Sequence, residues 1–419
     1  MTAFARGAAG AAMTAAGLLT GGIATAQEDP LRIGLLLPFT GQYAWVGENV
    51  QPVAQMIAEE VNGSGGIGGR EITFVQGDTE GVVDAGTTAA QKLINVDNVM
   101  ALVGPTSLSF SGSKNLIIDN SVPMVTPTAG TTELDRACQD VCFRTVPSDS
   151  LGGKAIARAA TDAQYLGEGA RAWENPVLMV AQSPAMVSFL EPIERSFADY
   201  GVEIAEVIEF TPGKPSYRAE VQEALAADPD GIVLVAAPEE SARVMTNAFQ
   251  SGYEGGWFVT QDQTNAEYIE LAGAQLVDGI YGLEEVASEE GQELNRAFEE
   301  RYQDYSGEEV KIFGTNTYDS MNVIALAMLS DHMDDGEITR ATLAEHIRAV
   351  TDPGEGKTQV TSYTEGKEAL EAGESIDYRG LVGPIDFDDW GNIAAPFGIR
   401  QVQDGAWTTV SVIPASALN

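Results

Sequence analysis

Leu31-Arg-Ile-Gly-Leu-Leu-Leu-Pro38 is a short apolar run that a proline ends. The segment that follows, from 47 to 61, carries its apolar residues at helical spacing. A short apolar run followed by such a segment predicts a β-strand and then an α-helix. This strand and helix set the pattern for the rest of the chain.

The same alternation continues beyond residue 61. Strand-like and helical segments follow one another up to Thr126, and after Val146-Pro-Ser-Asp149 the series begins again with a helix at 152–165. Repeated strand–helix–strand units predict largely parallel sheets covered by helices, the α/β class. The length of about 390 residues after a leader also favours two domains over one. Helices dominate after Glu290, and hairpin strands are expected at the end of the chain.

The chain is strongly acidic, with 62 Asp and Glu residues against 23 Lys and Arg, a formal net charge of -39. Such a surface repels nucleic acid and anionic lipid, so no nucleic-acid partner is expected. The acids are interleaved with apolar residues throughout, which favours a folded protein with a solvated acidic surface over a disordered one. A saline habitat is one explanation for this surface.

The first residues have the order of a secretory signal. Arg6 precedes an uncharged run from 7 to 23, and Ala24-Thr-Ala26 provides a small-residue cleavage site. A membrane anchor is the alternative, but five glycines and three threonines between residues 7 and 26 make the run weakly apolar. We therefore expect a cleaved signal peptide at 1–26 and a periplasmic protein.

Cys138 and Cys142 are the two cysteines of the chain. In an oxidising compartment a small disulfide loop is favoured over a free pair. Zinc needs about four ligands, and neither histidine, His332 or His346, is near the cysteines in sequence. No metal site is expected.

The motifs of cofactor-dependent and hydrolytic enzymes are missing or misplaced. Gly63-Ser-Gly-Gly-Ile-Gly68 has the spacing of a dinucleotide fingerprint, but it follows a helix and precedes a strand, so it predicts a helix stop and a turn. The acids of Asp386-Phe-Asp-Asp-Trp-Gly391 do not complete an EF-hand loop. No Gly-x-Ser-x-Gly elbow is present to go with the histidines. The sequence therefore predicts no catalysis and no cofactor.

Polar residues follow three strand ends, which is where open α/β sheets place ligands. Val103-Gly-Pro-Thr-Ser107 leaves a strand and enters a helix, so its hydroxyls and backbone N–H groups suit a carboxylate. Val125-Thr-Pro-Thr-Ala-Gly-Thr131 does the same after the next strand, and Gln261-Asp-Gln263 follows a strand of the second series. Each segment alone is equally consistent with a turn or a helix cap.

At these segments the sequence resembles the leucine/isoleucine/valine-binding protein family, the type I periplasmic binding proteins of amino-acid and amide importers. The similarity extends over nearly the whole chain after the leader. The segments that carry it are Pro38-Phe-Thr-Gly-Gln-Tyr-Ala-Trp-Val-Gly47, Glu60-Val-Asn-Gly-Ser-Gly-Gly-Ile-Gly-Gly-Arg70, Leu102-Val-Gly-Pro105, Val122-Pro-Met-Val-Thr-Pro-Thr128, Phe143-Arg-Thr-Val-Pro-Ser-Asp149, Tyr318-Asp319 and Gly383-Pro-Ile-Asp-Phe-Asp388.

The resemblance implies two Rossmann-like lobes whose parallel sheets are flanked by helices. Three crossings would join them, near Pro147, near Leu283 and between Gly380 and Pro384. Lobe 1 would then comprise residues 27–147 and 284–382, and lobe 2 residues 148–283 and 383–419. The ligand would lie in the cleft between the lobes.

The resemblance also implies a binding site for an amino acid. Ser107, with Ser109 as the alternative, Thr128 and Gly130 match the positions that bind the ligand carboxylate, and Asp262 matches the acid that binds its ammonium. Gly130 stands where threonine is common, although Thr131 is adjacent. Ala185 and Pro238 lie near positions where some members have tyrosines, so branched-chain specificity is not implied.

Tyr43 and Trp45 follow the first strand, and either side chain is expected in the ligand pocket or in the core. The predicted function is an extracytoplasmic solute-binding protein that delivers a small amino-acid-like ligand to the membrane permease of an ABC importer. The alternatives are the same scaffold for an amide, urea or aromatic acid, and a ligand sensor instead of an import receptor.

Overall fold

The computed structural model describes residues 29–138 and 140–418. The expected signal peptide at 1–26 lies outside these ranges. Within them, no helix has both the length and the apolar character that a membrane span requires.

The first series of strands forms a parallel sheet with the order β2-β1-β3-β4-β5. Helices follow the strands in turn, as the alternation predicts. The elements are β1 (Leu31–Leu37), α1 (Ala44–Gly63), β2 (Ile72–Asp78), α2 (Val83–Asn95), β3 (Ala101–Val103), α3 (Phe110–Asp119), β4 (Met124–Thr126) and β5 (Cys142–Arg144).

The second series builds a separate sheet from strands that are again parallel to one another. Its elements are α4 (Asp149–Thr161), β6 (Pro176–Ala181), α5 (Pro184–Val187), α6 (Leu190–Asp199), β7 (Glu206–Phe210), α7 (Arg218–Ala226), β8 (Gly231–Val235), α8 (Pro238–Gln250), β9 (Gly256–Val259), α9 (Ala266–Ala272), α10 (Ala274–Val277) and β10 (Tyr281–Glu285).

The last part of the chain contributes to both halves. Helices α11, α12 and α13 contribute to the hydrophobic core of the first sheet, and the closing hairpin of β13 and β14 extends the second sheet to the order β14-β13-β10-β9-β8-β6-β7. These elements are α11 (Glu289–Ser306), α12 (Gly314–Asp335), α13 (Arg340–Thr351), β11 (Thr358–Val360), α14 (Tyr363–Glu371), β12 (Ile376–Tyr378), β13 (Phe397–Gln403) and β14 (Ala406–Ile413).

Each sheet has its own hydrophobic core, so the α/β architecture with two lobes is confirmed. The exact division of the chain stays a prediction. Ile385 and Ile393 belong to the core of the first sheet, whereas Phe397 belongs to that of the second. We therefore propose that the third crossing lies between Ile393 and Phe397, later than the predicted position at 380–384.

A proline marks the start of α6. Helix α5 ends at Val187, α6 begins at Leu190, and Pro192 lies in its first turn. Proline is tolerated in the first turn of a helix, because no backbone N–H is needed there, whereas in the middle of a helix it removes a hydrogen bond. Strand β7 begins at Glu206, which pairs with Val177 of β6.

The glycine motif from Gly63 to Gly68 lies in the connection between α1 and β2. Gly65, Gly66 and Gly68 all have positive φ angles, which suit a turn. The predicted helix stop is confirmed, and the strand-to-helix context that a dinucleotide would need is not found at this motif.

A buried carboxylate holds the segment that leads out of β12. Asp319 of α12 is fully buried and accepts hydrogen bonds from the Tyr378 hydroxyl at 2.8 Å and from the backbone N–H groups of Leu381 at 2.8 Å and Val382 at 3.0 Å. The carboxylate therefore fixes both the end of the small β11–β12 sheet and the residues after it.

We predict that Asp319→Ala lowers the unfolding free energy by about 3 kcal/mol or more, since each buried donor left without an acceptor costs about 1–3 kcal/mol. Tyr378→Phe removes a single donor and is expected to cost less. Urea unfolding followed by circular dichroism measures both variants. Equal stability of Asp319→Ala and the wild type would contradict the structural role.

Cys138 and Cys142 form a disulfide, as predicted, with their Cα atoms 5.5 Å apart. The bond closes a short loop just before β5, next to the core that contains both cysteines.

The double variant Cys138→Ser/Cys142→Ser is expected to lose about 2 kcal/mol of unfolding free energy, a modest amount because the closed loop is short. Urea unfolding measures the loss. Thiol titration of unfolded, unreduced wild type is expected to find no free thiol, and two reactive thiols would contradict the bond.

Candidate functional site

A cavity lies between the two halves of the molecule. It is lined from the first half by the loops after β1, β3 and β4 and by the start of α12, and from the second half by α4, α5 and the segments after β9 and β10. Its lining residues are Tyr43, Trp45, Val46, Thr106, Ser107, Leu108, Thr128, Gly130, Val146, Asp149, Ala185, Met186, Phe189, Thr260, Gln261, Asp262, Glu285 and Phe313. All six residues predicted to bind a ligand are among them.

The loop after β3 presents free backbone donors to the cavity. It begins with Gly104, whose φ of 101° and close approach to the Leu36 carbonyl both require glycine. The backbone N–H groups of Ser107 and Leu108, just before α3, have no acceptor within residues 29–138 and 140–418. N–H groups at the start of a helix are a favourable site for an anion.

The loop after β4 is tied to this first loop. The Thr126 hydroxyl donates to the Pro105 carbonyl at 2.7 Å and accepts the Thr128 N–H at 3.2 Å. The Ser107 hydroxyl accepts the Thr131 N–H at 3.1 Å. Both loops therefore form one wall, which we call the hydroxyl wall: residues 106–108, Thr128 and Gly130.

The structure distinguishes the alternatives at two predicted positions. Ser107 lines the cavity, whereas Ser109 is fully buried and is not among the lining residues. The Thr131 hydroxyl accepts the Glu133 N–H at 3.3 Å as the cap of a short helical turn. Of these side chains, Ser107 is the one placed for a ligand.

Glycine at position 130 leaves room for a carboxylate. A Cβ atom there would collide with Oδ1 of Asp149, whose backbone N–H donates to the Gly130 carbonyl at 2.8 Å. The Gly130 N–H has no acceptor among the described residues. A threonine, common in the resembled family, would not fit unless Asp149 moved.

Asp262 lies on the opposite side, in the helical turn of Gln261–Gln263 after β9. The turn is fixed by Gln263, whose amide nitrogen donates to the Ala236 carbonyl and whose amide oxygen accepts the Thr260 hydroxyl at 3.0 Å. The Asp262 carboxylate has no hydrogen-bond or ion-pair partner in the described ranges. Burial raises its pKa to about 6.

Two further acids, which the sequence did not indicate, line the same cavity. Asp149 is the first residue of α4, and Glu285 is the last residue of β10. Burial raises the pKa of Asp149 to about 7, although the Ser188 hydroxyl and Arg144 oppose the shift. Burial and the charges of Asp149 and Asp262 raise the pKa of Glu285 to about 8. We call Asp149, Asp262 and Glu285 the acidic wall.

Aromatic side chains complete the cavity. Tyr43 and Trp45 both line it, as predicted, and the Trp45 ring stacks on Phe313 with ring centroids 6.0 Å apart. Burial and the nearby acids Asp262, Glu240 and Glu239 raise the pKa of Tyr43 to about 12. Tyr43 of the first half and Asp262 of the second half therefore line one cavity.

Asp149 and Glu285, which the sequence did not indicate, lie next to two of the predicted crossings. Asp149 comes two residues after Pro147, and Glu285 comes two residues after Leu283. A residue next to a crossing lies at the back of the cleft, so both acids could have been selected on position. Phe313 carried no such signal, because its helix begins far along the chain from the strands it faces.

Comparison with known proteins agrees with this architecture. A leucine-, isoleucine-, valine-, threonine- and alanine-binding protein of Pseudomonas aeruginosa is 25% identical over 345 residues, 81% of this chain and 87% of that protein. A chemotactic signal transduction system substrate-binding protein of Halobacterium salinarum is 23% identical over 393 residues, 91% of this chain and 89% of that protein.

The crystal structure of a leucine-binding protein, LivK, from Thermotoga maritima superposes with a TM-score of 0.74 at 22% identity, over 92% of this chain and 99% of that one. The sequence profile of a family described as periplasmic binding protein matches residues 30–406. This family is one of binding proteins and not of enzymes, in agreement with the cavity between two α/β halves. The chain belongs to the periplasmic binding protein family.

Proposed function

We propose that this chain is the extracytoplasmic solute-binding protein of an ABC importer, and that it binds an α-amino acid in the cavity between its lobes. The observation that carries the proposal is the opposite polarity of the two walls. The hydroxyl wall offers donors, and the acidic wall offers acceptors.

A zwitterion fits this polarity. Its carboxylate would accept hydrogen bonds from the Ser107 hydroxyl and from the free N–H groups of Ser107, Leu108 and Gly130. The Thr128 hydroxyl, which donates to the Pro105 carbonyl at 3.4 Å, would turn to the ligand. Its ammonium would pair with Asp262, which has no counter-cation among the described residues. Charge-assisted hydrogen bonds of both kinds are stronger than neutral ones. A ligand held by both walls also favours closure of the lobes around it.

The apolar lining supports an amino acid with an extended side chain. Trp45, Phe313 and Phe189 lie in the same cavity as the polar walls, and Ala185 lines it where a tyrosine occurs in some members of the resembled family. Pro238 is the first residue of α8 and is not among the lining residues. The cavity thus has room beside the main-chain groups of the ligand.

The partner would be the membrane permease of the importer, and the site of action the periplasm, reached through cleavage of residues 1–26. The Pseudomonas aeruginosa relative, named for the amino acids it binds, supports the ligand class.

Asp262→Ala is predicted to weaken amino-acid binding by roughly 30-fold or more, because loss of one partner of a buried charge pair costs about 2–5 kcal/mol. Asp262→Asn is expected to weaken it as well, since the amide keeps the size but loses the charge. A thermal-shift screen of the amino acids, amides and small aromatic acids first identifies the ligand. Calorimetry then measures its affinity for the wild type and for both variants.

Asp199→Asn, an exposed acid on α6, is the matched control and is expected to bind as the wild type does. Circular dichroism confirms that each variant is folded. If both Asp262 variants bind the ligand as tightly as the wild type, Asp262 has only a structural role in its turn. The proposal that the ligand is an amino acid would then lose its main support.

A sensory role is the second candidate, because the Halobacterium salinarum relative is named for chemotactic signal transduction. Import predicts that deletion of the gene abolishes uptake of the radiolabelled ligand, since the permease would lack its receptor. A sensor predicts intact uptake together with loss of the chemotactic response. Complementation with the wild-type gene and with Asp262→Ala shows whether the binding site itself is needed.

A further inference from the structure

The acidic wall carries more negative charge than one ammonium can match. Asp149, Asp262 and Glu285 face a single cavity, and no Lys, Arg or His occurs among the described residues that line it. The Glu285 carboxylate has no hydrogen bond or ion pair within the described ranges, whereas that of its neighbour Glu284 pairs with Arg400 at 2.9 Å. Arg400 thus neutralises Glu284, which does not line the cavity, whereas Glu285, which does, has no counter-cation among the described residues.

Arg144, whose charge acts on Asp149 and Glu285, already binds other groups. Arg144 is fully buried, donates to the carbonyls of Gly130 at 3.0 Å and Thr131 at 3.2 Å, and forms an ion pair with Asp135. Asp149 receives one hydrogen bond, from the Ser188 hydroxyl to Oδ2, and none is found to Oδ1 among the described residues. Arg144 therefore forms no ion pair with the acidic wall among the described residues, although its charge opposes the rise in the pKa of Asp149 and of Glu285.

A hydroxyl across the cavity also indicates that a ligand completes this site. Thr106 is 4% exposed and lines the cavity, and its Oγ1 has no hydrogen-bond partner in the part of the chain that the structure describes. A buried hydroxyl without a partner is costly. The acids themselves do not form a metal-binding group, since no cluster of metal-ligating side chains is found in the described ranges.

We propose that the ligand is an α-amino acid whose side chain bears a second positive charge, a guanidinium or an ammonium, which Asp149 and Glu285 bind. The inference rests on the proposed function, in which Asp262 takes the α-ammonium. A neutral side chain would leave Asp149 and Glu285 without a counter-cation in a cavity from which the ligand has displaced water, so at least one of them would have to bind a proton to stay there.

The rest of the cavity suits such a side chain. The aliphatic stem of a basic residue packs well on apolar surface while its head reaches a charge. Phe189 and Met186, on the same side as Asp149, provide apolar surface. A guanidinium also stacks on aromatic rings such as those of Trp45 and Phe313.

The test compares ligands of equal shape and different charge by calorimetry with the full-length mature protein. Arginine and citrulline differ in the charge of the side-chain head, and agmatine is arginine without its carboxylate. L-leucine is the neutral amino acid with an apolar side chain. Arginine is expected to bind at least about tenfold more tightly than citrulline, because a hydrogen bond to a charged group is worth more than a neutral one.

Proton counting provides a second readout. The titratable groups around the cation would be Asp149, Asp262, Glu285, Tyr43 and the Arg144–Asp135 pair. The pKa values of about 7 for Asp149 and about 8 for Glu285 leave both carboxyls partly protonated near pH 7.5. A bound cation stabilises their ionised forms, so arginine is expected to release protons, measured as a dependence of the binding enthalpy on buffer ionisation. Citrulline is not.

Variants of the acidic wall test whether its residues cause the preference for arginine over citrulline. Glu285→Gln and Asp149→Asn are expected to reduce the arginine-to-citrulline ratio by about tenfold each, whereas Asp262→Asn weakens both ligands alike. Glu209→Gln, an exposed acid on β7, is the matched control and should leave the ratio unchanged. If a variant fails to fold, the ligand comparison in the wild type still decides.

The outcomes separate this inference from the proposed function. Citrulline or leucine binding as tightly as arginine would overturn the cationic side chain and leave the amino-acid assignment standing. Agmatine binding without any amino acid would support the acidic wall as a cation site and contradict the amino-acid assignment. Binding of neither arginine nor agmatine would overturn the inference.

Discussion

The cleft depends on one buried guanidinium. Arg144, at the end of β5, is fully buried, and its donors reach the carbonyls of the loop after β4 and the carboxylate of Asp135. Asp135 in turn accepts the hydroxyls of Ser148 at 2.6 Å and Ser150 at 2.7 Å, at the start of α4. A buried charge that lost any of these partners would be strongly unfavourable, so the network holds both lobes at the first crossing in one arrangement.

Both walls of the cavity follow from this arrangement. With the Gly130 carbonyl shared between Arg144 and the Asp149 N–H, the Gly130 N–H remains without an acceptor on the hydroxyl wall. The same contact places the Asp149 carboxylate against Gly130, where the two walls meet. One proposed donor for a ligand carboxylate and one proposed acceptor for a ligand cation are therefore positioned by the same hydrogen bonds, and a substitution at Arg144 would affect both.

The parts of this site that the sequence predicts are those fixed by local chain direction. A polar segment directly after a buried strand lies at the edge of the sheet. The segments that contain Ser107, Thr128 and Asp262 were predicted on that ground, and the family resemblance then indicated these three residues. Asp149 and Glu285 were missed because their role depends on what faces them across the cleft. The later position proposed for the third crossing has the same origin: residues 385–393 have no strand or helix pattern, and long-range packing alone places Ile385, Phe387 and Ile393 in the first core.

The acidity of the whole chain and the acidity of the cleft have different physical meanings. Most of the 62 acids are hydrated, and a solvated carboxylate on a surface costs little whatever its neighbours. Asp149, Asp262 and Glu285 have lost much of that hydration, which is why burial is the first cause of the shift in each pKa. Net charge therefore carries no information on the ligand, whereas three desolvated carboxylates around one cavity do. A cation is the one kind of ligand group that relieves their repulsion without adding protons.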